Sequence, residues 1–428
     1  MRVFVHDFAG HAFPVQLSRE LAVRGHRVTH VYPIGLDGPK GRLEASGSDS
    51  DRLEIVGVPL HGFRKYSPSR RLASQQRYAR DVARIIGSKR FDVALSGNTP
   101  IDVQARLLRH CRHQELGFVH WVQDVYYQAL KFFLLRKLGR LSAPLSYPFF
   151  LLERWVAREA SSNVVIAPAF AEMLAGWGVA KEKISVLENW ASLDEIRPLA
   201  RGNAWSREQG LDGKTVFLYS GTLGMKHRPD LIYQLAKSLG TAHVVVAITE
   251  GVGREYLEKM PRLENLQLLD FQPYGKVPHV LASADVLLAT LDSDAGQFAV
   301  PSKILSYLCA GRPLLLAAPG NNLAASIVER SGAGVVVDPN CPGEWIAAAH
   351  RLAEDSGVRA SMGTSGRAYA EREFGSSGIA EKFEDVLLRA RRKSSAKERV
   401  PQTARRFSPP AERGSVGHSQ KPVLPERR

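Results

Sequence analysis

Cysteine is scarce in this chain: Cys111, Cys309 and Cys341 are its only three among 428 residues, far apart and in no C-x-x-C or Cys/His spacing. That argues against a disulfide framework and a structural zinc site, and suits a reducing cytoplasm. No apolar run reaches the ~20 residues needed to span a bilayer. The opening MRVFVHDFAG reads as a short strand running into glycine, not as a secretory leader. Acidic residues are short as well, 43 against 58 Lys and Arg, for a net charge of +15. Half of that excess lies in one place. Residues 391–428 hold eleven Lys or Arg and three Glu, with five prolines and almost no aromatics, which is the composition of a disordered basic tail. The remaining charge, about +7, is too little to indicate a nucleic-acid binder without a matching fold motif.

What is present is length and alternation. At 44% hydrophobic residues, 428 positions fill two ordinary cores better than one. Short apolar runs (RVFVH, RVTHVY, LEIVGVP, FDVALSG, GFVHWVQD, NVVIAP, ISVLEN) mostly alternate with helix-length segments. After a polar connection at about 193–213 the pattern restarts with TVFLYSGTLG, AHVVVAITEG, LQLLDF, DVLLATLD, RPLLLAAPG and GAGVVVDP. Such alternation predicts parallel strands with crossover helices, hence two Rossmann-like α/β domains with ligands beyond the carboxyl ends of their strands. Residues 357–390 read as two helices broken near FGSSG, the last free to pack back on the first domain.

The loops after strands carry the chemistry. In YSGTLGMKHRPDL, Gly221 and Gly224 expose backbone amides and Lys226 adds a charge, a set that suits a diphosphate although it is neither G-x-G-x-x-G nor a P-loop. In FAVPSKILSYLCAGRP, Pro301 and Ser302 suit a helix start, Ile304, Leu305, Tyr307 and Leu308 an apolar face, and Gly311 a stop. Lys303 is the odd residue. A cation in a first helical turn opposes the helix dipole at a cost of a few tenths of a kcal/mol, about 0.3 or more, which a bound anion would remove. A solvated lysine on an ordinary helix is the other reading. Glu250, Gly251 and Gly253 follow the next strand, and Phe271, Gln272 and Tyr274 could offer a nucleobase an aromatic face or simply pack. In the first half, Gly10 and His11 stand between the first strand and a helix, where glycine permits close backbone approach by a ligand. Of two D-x-D triplets, Asp49/Asp51 lies in a polar loop and reads as solvated, and Asp292/Asp294 could bind a divalent cation at a strand end. With lysines placed to neutralise phosphates, no metal is expected.

Taken with LAVRGHRVTHVY, VHWVQDVYY, ISVLENW, ITEGVGRE, SADVLLATL and VPSKILSYLCAGRPLLLA, these motifs resemble the family 4 glycosyltransferases of the GT-B fold, in particular bacterial exopolysaccharide and lipopolysaccharide enzymes of the colanic acid type. The similarity spans about 1–390. It implies an acceptor domain at 1–195, a nucleotide-sugar domain at 196–365, a helix at 366–390 returning to the first domain, and the tail at 391–428. It further implies transfer with retention of configuration from a UDP- or GDP-linked sugar, with no cofactor and no obligatory metal. By position, Gly221, Gly224, Lys226, Ser302 and Lys303 would hold the diphosphate, Glu250, Gly251 and Gly253 would line the nucleotide pocket, and Asn189 would lie near the cleft with Gly10 and His11. Where many members place a cleft histidine the chain has Gln123 and Asp124, which makes these the catalytic candidates of the first domain. Two family glutamates are replaced by Phe298 and Ser306.

Residues 131–152, KFFLLRKLGRLSAPLSYPFFLL, combine four basic residues and no acid with large apolar side chains. They suit either an anionic membrane face or a pair of core helices with solvated lysines. With the basic tail, the first reading makes the protein a peripheral enzyme on the inner face of the plasma membrane, acting on a polyprenyl-linked acceptor and on no nucleic acid. Two alternatives remain at this stage: a non-catalytic nucleotide-sugar-binding or scaffold subunit, and a GT-B-like nucleotide-sugar 2-epimerase.

Overall fold

Each apolar run named above forms a strand. A computed structural model describes residues 1–36, 41–64, 67–138, 142–293 and 303–396. The first sheet contains β1 (Arg2–Asp7), β2 (Arg27–Ile34), β3 (Leu53–Pro59), β4 (Val93–Gly97), β5 (Gly117–Val122), β6 (Ser162–Val165) and β7 (Ile184–Val186), in the order β3-β2-β1-β4-β5-β6-β7. The second contains β8 (Thr215–Ser220), β9 (His243–Ile248), β10 (Leu266–Leu269), β11 (Val286–Thr290), β12 (Leu314–Ala317) and β13 (Gly334–Val337), in the order β10-β9-β8-β11-β12-β13. All pairings are parallel. Central strands such as β5 and β12 are buried along their whole length, because crossover helices cover both faces; that is why they read as unbroken apolar runs.

In each sheet the strand order reverses once, between β1 and β4 and between β8 and β11. Such reversals open a crevice at the carboxyl ends of the two strands. Gly10 and His11 follow β1, and the Gly221–Lys226 loop follows β8, so both predicted loops lie at reversal points.

The chain returns as expected. Helix Ser356–Glu373 packs on Lys303–Cys309, with Gly363 so close that a Cβ would lie 2.3 Å from the Gly311 carbonyl oxygen. Helix Ser376–Ala396 then crosses to the first sheet, where Phe383 meets Trp121 and Trp190 with ring centroids 4.7 and 5.9 Å apart. Glu384 receives Arg24 at 2.7 Å and His26 at 2.9 Å. A single apolar cluster thereby runs from Val3 and Val5 through Trp121, Trp190 and Phe383 to Leu305 and Leu308. Arg330 and Glu188 add an ion pair at 3.2 Å.

Candidate active site

At the end of β8 the backbone is held by a buried tyrosine. The Ser220 N–H donates to the Tyr307 hydroxyl at 3.0 Å, and that hydroxyl donates to the Ser220 carbonyl at 3.2 Å. Gly221 turns the chain with a positive φ of 129°, and a Cβ there would lie 3.3 Å from both Cε and Nζ of Lys303. The missing side chain makes room for the lysine. Lys303 Nζ sits 3.4 Å from the centroid of the Tyr219 ring, shut off from solvent, with no hydrogen-bond partner among the described residues. Burial holds its pKa well below that of an ordinary lysine.

The neighbouring loops are stitched to this one. Leu223 N–H donates to the Glu250 carbonyl at 3.1 Å, and Gly253 N–H to the Leu223 carbonyl at 2.8 Å. Thr249 Oγ1 donates to the Gly221 carbonyl at 2.8 Å. Gly224 N–H donates to His227 Nδ1 at 3.0 Å, which needs a neutral imidazole; burial first, then Lys303 and Lys226, push that ring down to about 3. Two lysines thus flank one uncharged histidine. Lys226 is exposed, and its carbonyl accepts from Asp292 N–H at 2.7 Å, tying the loop to the end of β11. Gly251 caps helix Val252–Lys259 with a φ of 98°, and the Glu250 side chain is exposed. Gly253 tolerates no side chain, because a Cβ would lie 2.6 Å from the Leu223 carbonyl oxygen. Gly253→Ala is accordingly expected to lower stability by about 1–3 kcal/mol in urea unfolding.

On the first sheet Asp7 organises the glycine loop. Its buried carboxylate accepts from His11 N–H at 2.7 Å, Ala9 N–H at 3.2 Å and Asn98 Nδ2 at 2.9 Å. Burial raises its pKa, with His11 and these donors opposing. Gly10 adopts a φ of 73°, and the His11 ring stacks on Phe13 at 5.8 Å. Gln123 and Asn189 form a reciprocal amide pair, Nε2 to Oδ1 at 3.1 Å and Nδ2 to Oε1 at 2.6 Å. Gln123 is therefore occupied by Asn189, an arrangement that suits shaping the cleft. Asp124 is different: it makes no hydrogen bond or ion pair among the described residues. Its side chain reaches solvent but is crowded by protein. That desolvation raises its pKa, while Lys226 from the second domain and His11 from the first pull it back. Behind it the buried Glu153 accepts the backbone N–H groups of Tyr126 at 2.8 Å and Tyr127 at 2.9 Å, and burial lifts its carboxyl to about 7.

The structure thus gathers Gly221, Gly224, Lys226, Glu250, Gly251, Gly253 and Lys303 around one crevice. It gathers Gly10, His11, Gln123, Asp124 and Asn189 around the other, and Lys226 lies close enough to Asp124 to act on its charge. Ser302, Pro301, Phe298 and Asp294 lie outside the described residues. Ser306 lies half-buried in helix Lys303–Cys309. Three readings change. Asp49 is no solvated loop residue: Arg19 Nε binds it at 2.8 Å and its side chain is only 11% exposed. Tyr274 is engaged with Glu195 at 2.5 Å, and Gln272 accepts from Trp205 Nε1 at 3.2 Å, so this stretch braces the connection between domains. The hairpin of Tyr126–Leu138 and Ser142–Glu159 is no plain core pair, since Leu135, Leu145, Tyr147, Phe149 and Leu151 are 44–54% exposed. Among the described residues, no cluster of three His, Cys, Asp or Glu is placed to hold a metal, and no helix is long and apolar enough to cross a membrane.

Residues 11–190 match the Glycosyl transferase 4-like domain, and residues 203–369 match Glycosyl transferases group 1. A protein assigned as a colanic acid biosynthesis glycosyl transferase, WcaI of Escherichia coli (strain K12), is 26% identical over 48% of this chain and 52% of its own length. WbjE of Pseudomonas aeruginosa, assigned as a glycosyltransferase, is 27% identical over 60% of this chain and 64% of its own. The chain thus spans about half to two thirds of the length of these relatives. Among solved structures, the sucrose-phosphate synthase of Thermosynechococcus elongatus aligns with a TM-score of 0.68 at 12% identity, covering 93% of this chain and 100% of that one. Anabaena HepE, solved in complex with UDP-glucose, aligns with a TM-score of 0.65 at 13% identity, covering 91% and 99%.

Proposed function

From the premise that this chain belongs to the family 4 glycosyltransferases of the GT-B fold, we propose that it moves a sugar from a nucleotide-sugar donor to a lipid-linked glycan acceptor in polysaccharide synthesis, with retention and without a metal. The observation that carries the donor site is the Lys303 side-chain amine, buried on the Tyr219 ring without a hydrogen-bond partner among the described residues. A buried amine left unpaired is costly, and a diphosphate oxygen supplies the missing partner. Exposed Lys226 in the following loop would meet the same group, whereas the Gly221, Leu223 and Gly224 N–H groups already donate to Ile248, Glu250 and His227 and are not free to do so. Nucleotide would follow along Glu250, Gly251 and Gly253.

In the reaction the bond from the anomeric carbon to the diphosphate oxygen breaks, and the acceptor oxygen forms its bond on the same face. The acceptor proton passes to the departing phosphate, so no protein base is required. Lys303 and Lys226 stabilise the charge that grows on the leaving group. Asp124, with no hydrogen bond among the described residues and within reach of the Lys226 charge, would accept a sugar hydroxyl and orient it. Neither step needs the family glutamates that Phe298 and Ser306 replace.

The lipid-linked acceptor rests on the apolar side chains of the 126–159 hairpin, exposed beside the acceptor crevice. With the basic tail they favour a peripheral position on the inner membrane face. UDP is the first nucleotide to test, since the similarly folded Anabaena HepE is seen with UDP-glucose. Calorimetry of UDP and GDP is expected to show one of them binding the wild type and weakened binding to Lys226→Ala. Absence of binding by either would remove the donor site. Binding without release of nucleotide from any sugar donor would favour the non-catalytic subunit.

A further inference from the structure

A groove of about 640 Å³ lies away from the crevice, between helices Pro68–Ser88 and Ile101–His113 on the outer face of the first domain. Arg80 and Arg84 line it from one helix, Arg106, Arg109, His110 and His113 from the other. The one acid on its wall, Asp102, already accepts from Gln76 Nε2 at 2.9 Å, and Gln76 in turn accepts from Arg106 Nε at 2.8 Å. Arg84 pairs with Asp81 at 2.6 Å. Arg80 has no ion pair among the described residues, and Arg109 lies over the Trp155 ring at 5.0 Å with no carboxylate. His110 Nε2 is buried without a partner among the described residues. Arg80 and Arg109 therefore give the groove cationic charge that no carboxylate among the described residues neutralises.

Its position says what the anion is attached to. Helix Ser142–Glu159 packs beside Ile101–His113, and its Leu152 forms part of the groove wall. The next residue, Glu153, binds the backbone just past the end of β5, so this point of the helix is level with the carboxyl edge of the sheet. At 1.5 Å per residue, the turns carrying exposed Leu145, Tyr147, Phe149 and Leu151 rise up to about 12 Å beyond that edge. An apolar crest thus stands at the head of a cationic groove. A soluble polyanion would use the groove and leave the crest in water, whereas an anionic lipid satisfies both.

We propose that this groove binds the phosphate headgroup of an anionic phospholipid while the apolar crest enters the same leaflet. The proposal rests on the membrane reading above and adds a specific site to it. Charge attraction of this kind is worth a few-fold to tenfold per basic residue.

The test uses the full chain with vesicles of phosphatidylcholine alone or with phosphatidylglycerol, read by co-sedimentation and by hydrogen exchange. The expected result is preferential binding to the anionic vesicles with slowed exchange at 76–88 and 102–113. Arg80→Gln with Arg109→Gln should weaken that binding roughly tenfold or more and leave nucleotide binding unchanged. Tyr147→Ser with Phe149→Ser should weaken binding to both compositions. Wild-type binding by the arginine variant, or slowed exchange only beyond Arg391, would overturn the groove and leave the membrane reading standing. Equal protection of the groove by millimolar inorganic phosphate would make it a site for a soluble anion. No binding to any vesicle would end both the groove assignment and the membrane reading.

Discussion

Replacing Lys303 by methionine is expected to weaken nucleoside diphosphate binding roughly 10- to 100-fold, the loss of one charge-assisted hydrogen bond of about 1.5–3 kcal/mol. The free protein should not become less stable. Burial holds the Lys303 pKa well below its usual 10.5, so the folded state binds fewer protons there than the unfolded chain. Below that window the folded state bears the cost of an unpaired, desolvated amine, and stability rises as pH increases through it. Methionine removes the amine and its cost. The melting temperature of the free variant at pH 7 should equal or exceed that of wild type, opposite to its effect on binding. A proton signature follows. An anion beside Nζ raises its pKa, so the wild type should take up a proton on binding nucleotide at any pH where the buried amine of the free protein is not fully protonated. Calorimetry in buffers of different ionisation enthalpy would report that uptake in wild type and none in Lys303→Met. Undiminished affinity in the variant would exclude Lys303 as the phosphate anchor.

The fold was legible because parallel strands buried on both faces leave short, unmixed apolar runs, and all such runs from RVFVH to GAGVVVDP became strands. Gly221, Gly251 and Gly10 were legible for a related reason, since turns at strand ends require the positive φ values these residues adopt. Residues that act through distant partners were not. Tyr307 reads as one more apolar position on a short helix, yet its hydroxyl fixes the end of β8, 87 residues earlier in the chain. Asp7 sits in the opening MRVFVHDFAG, where no local pattern shows that its carboxylate would accept the N–H of His11 in the glycine loop. Asp49 shows the opposite limit. A polar sequence neighbourhood suggested solvent, and Arg19 across the fold decided otherwise. Lys303 was singled out by its clash with the helix dipole, but its burial on Tyr219 depends on Gly221, and no local pattern contains that pairing.

Asp124→Asn is expected to lower kcat about 100-fold while the Kd for nucleoside diphosphate stays within about twofold, because hydroxyl orientation is lost and the phosphate anchors on the second domain are not. The pH profile separates this role from a structural one. Burial raises the Asp124 carboxyl, with Lys226 and His11 opposing, so its active carboxylate form should be lost as pH falls through that raised value. The wild type would then show an acid limb in kcat that the asparagine variant lacks. Glu153, lifted to about 7 by burial, titrates in the same direction, and the Asp124 charge adds to its rise. Its work is different, since its oxygens hold the Tyr126 and Tyr127 amides. Because burial lifts this carboxyl, the folded state takes up its proton more readily than the unfolded chain, so stability should rise as pH falls through about 7, and Glu153→Gln should flatten that dependence. An acid limb that survives in Asp124→Asn and disappears in Glu153→Gln would transfer the role to Glu153. If kcat is unaffected by Asp124→Asn, the first domain contributes no carboxylate from this position to the reaction.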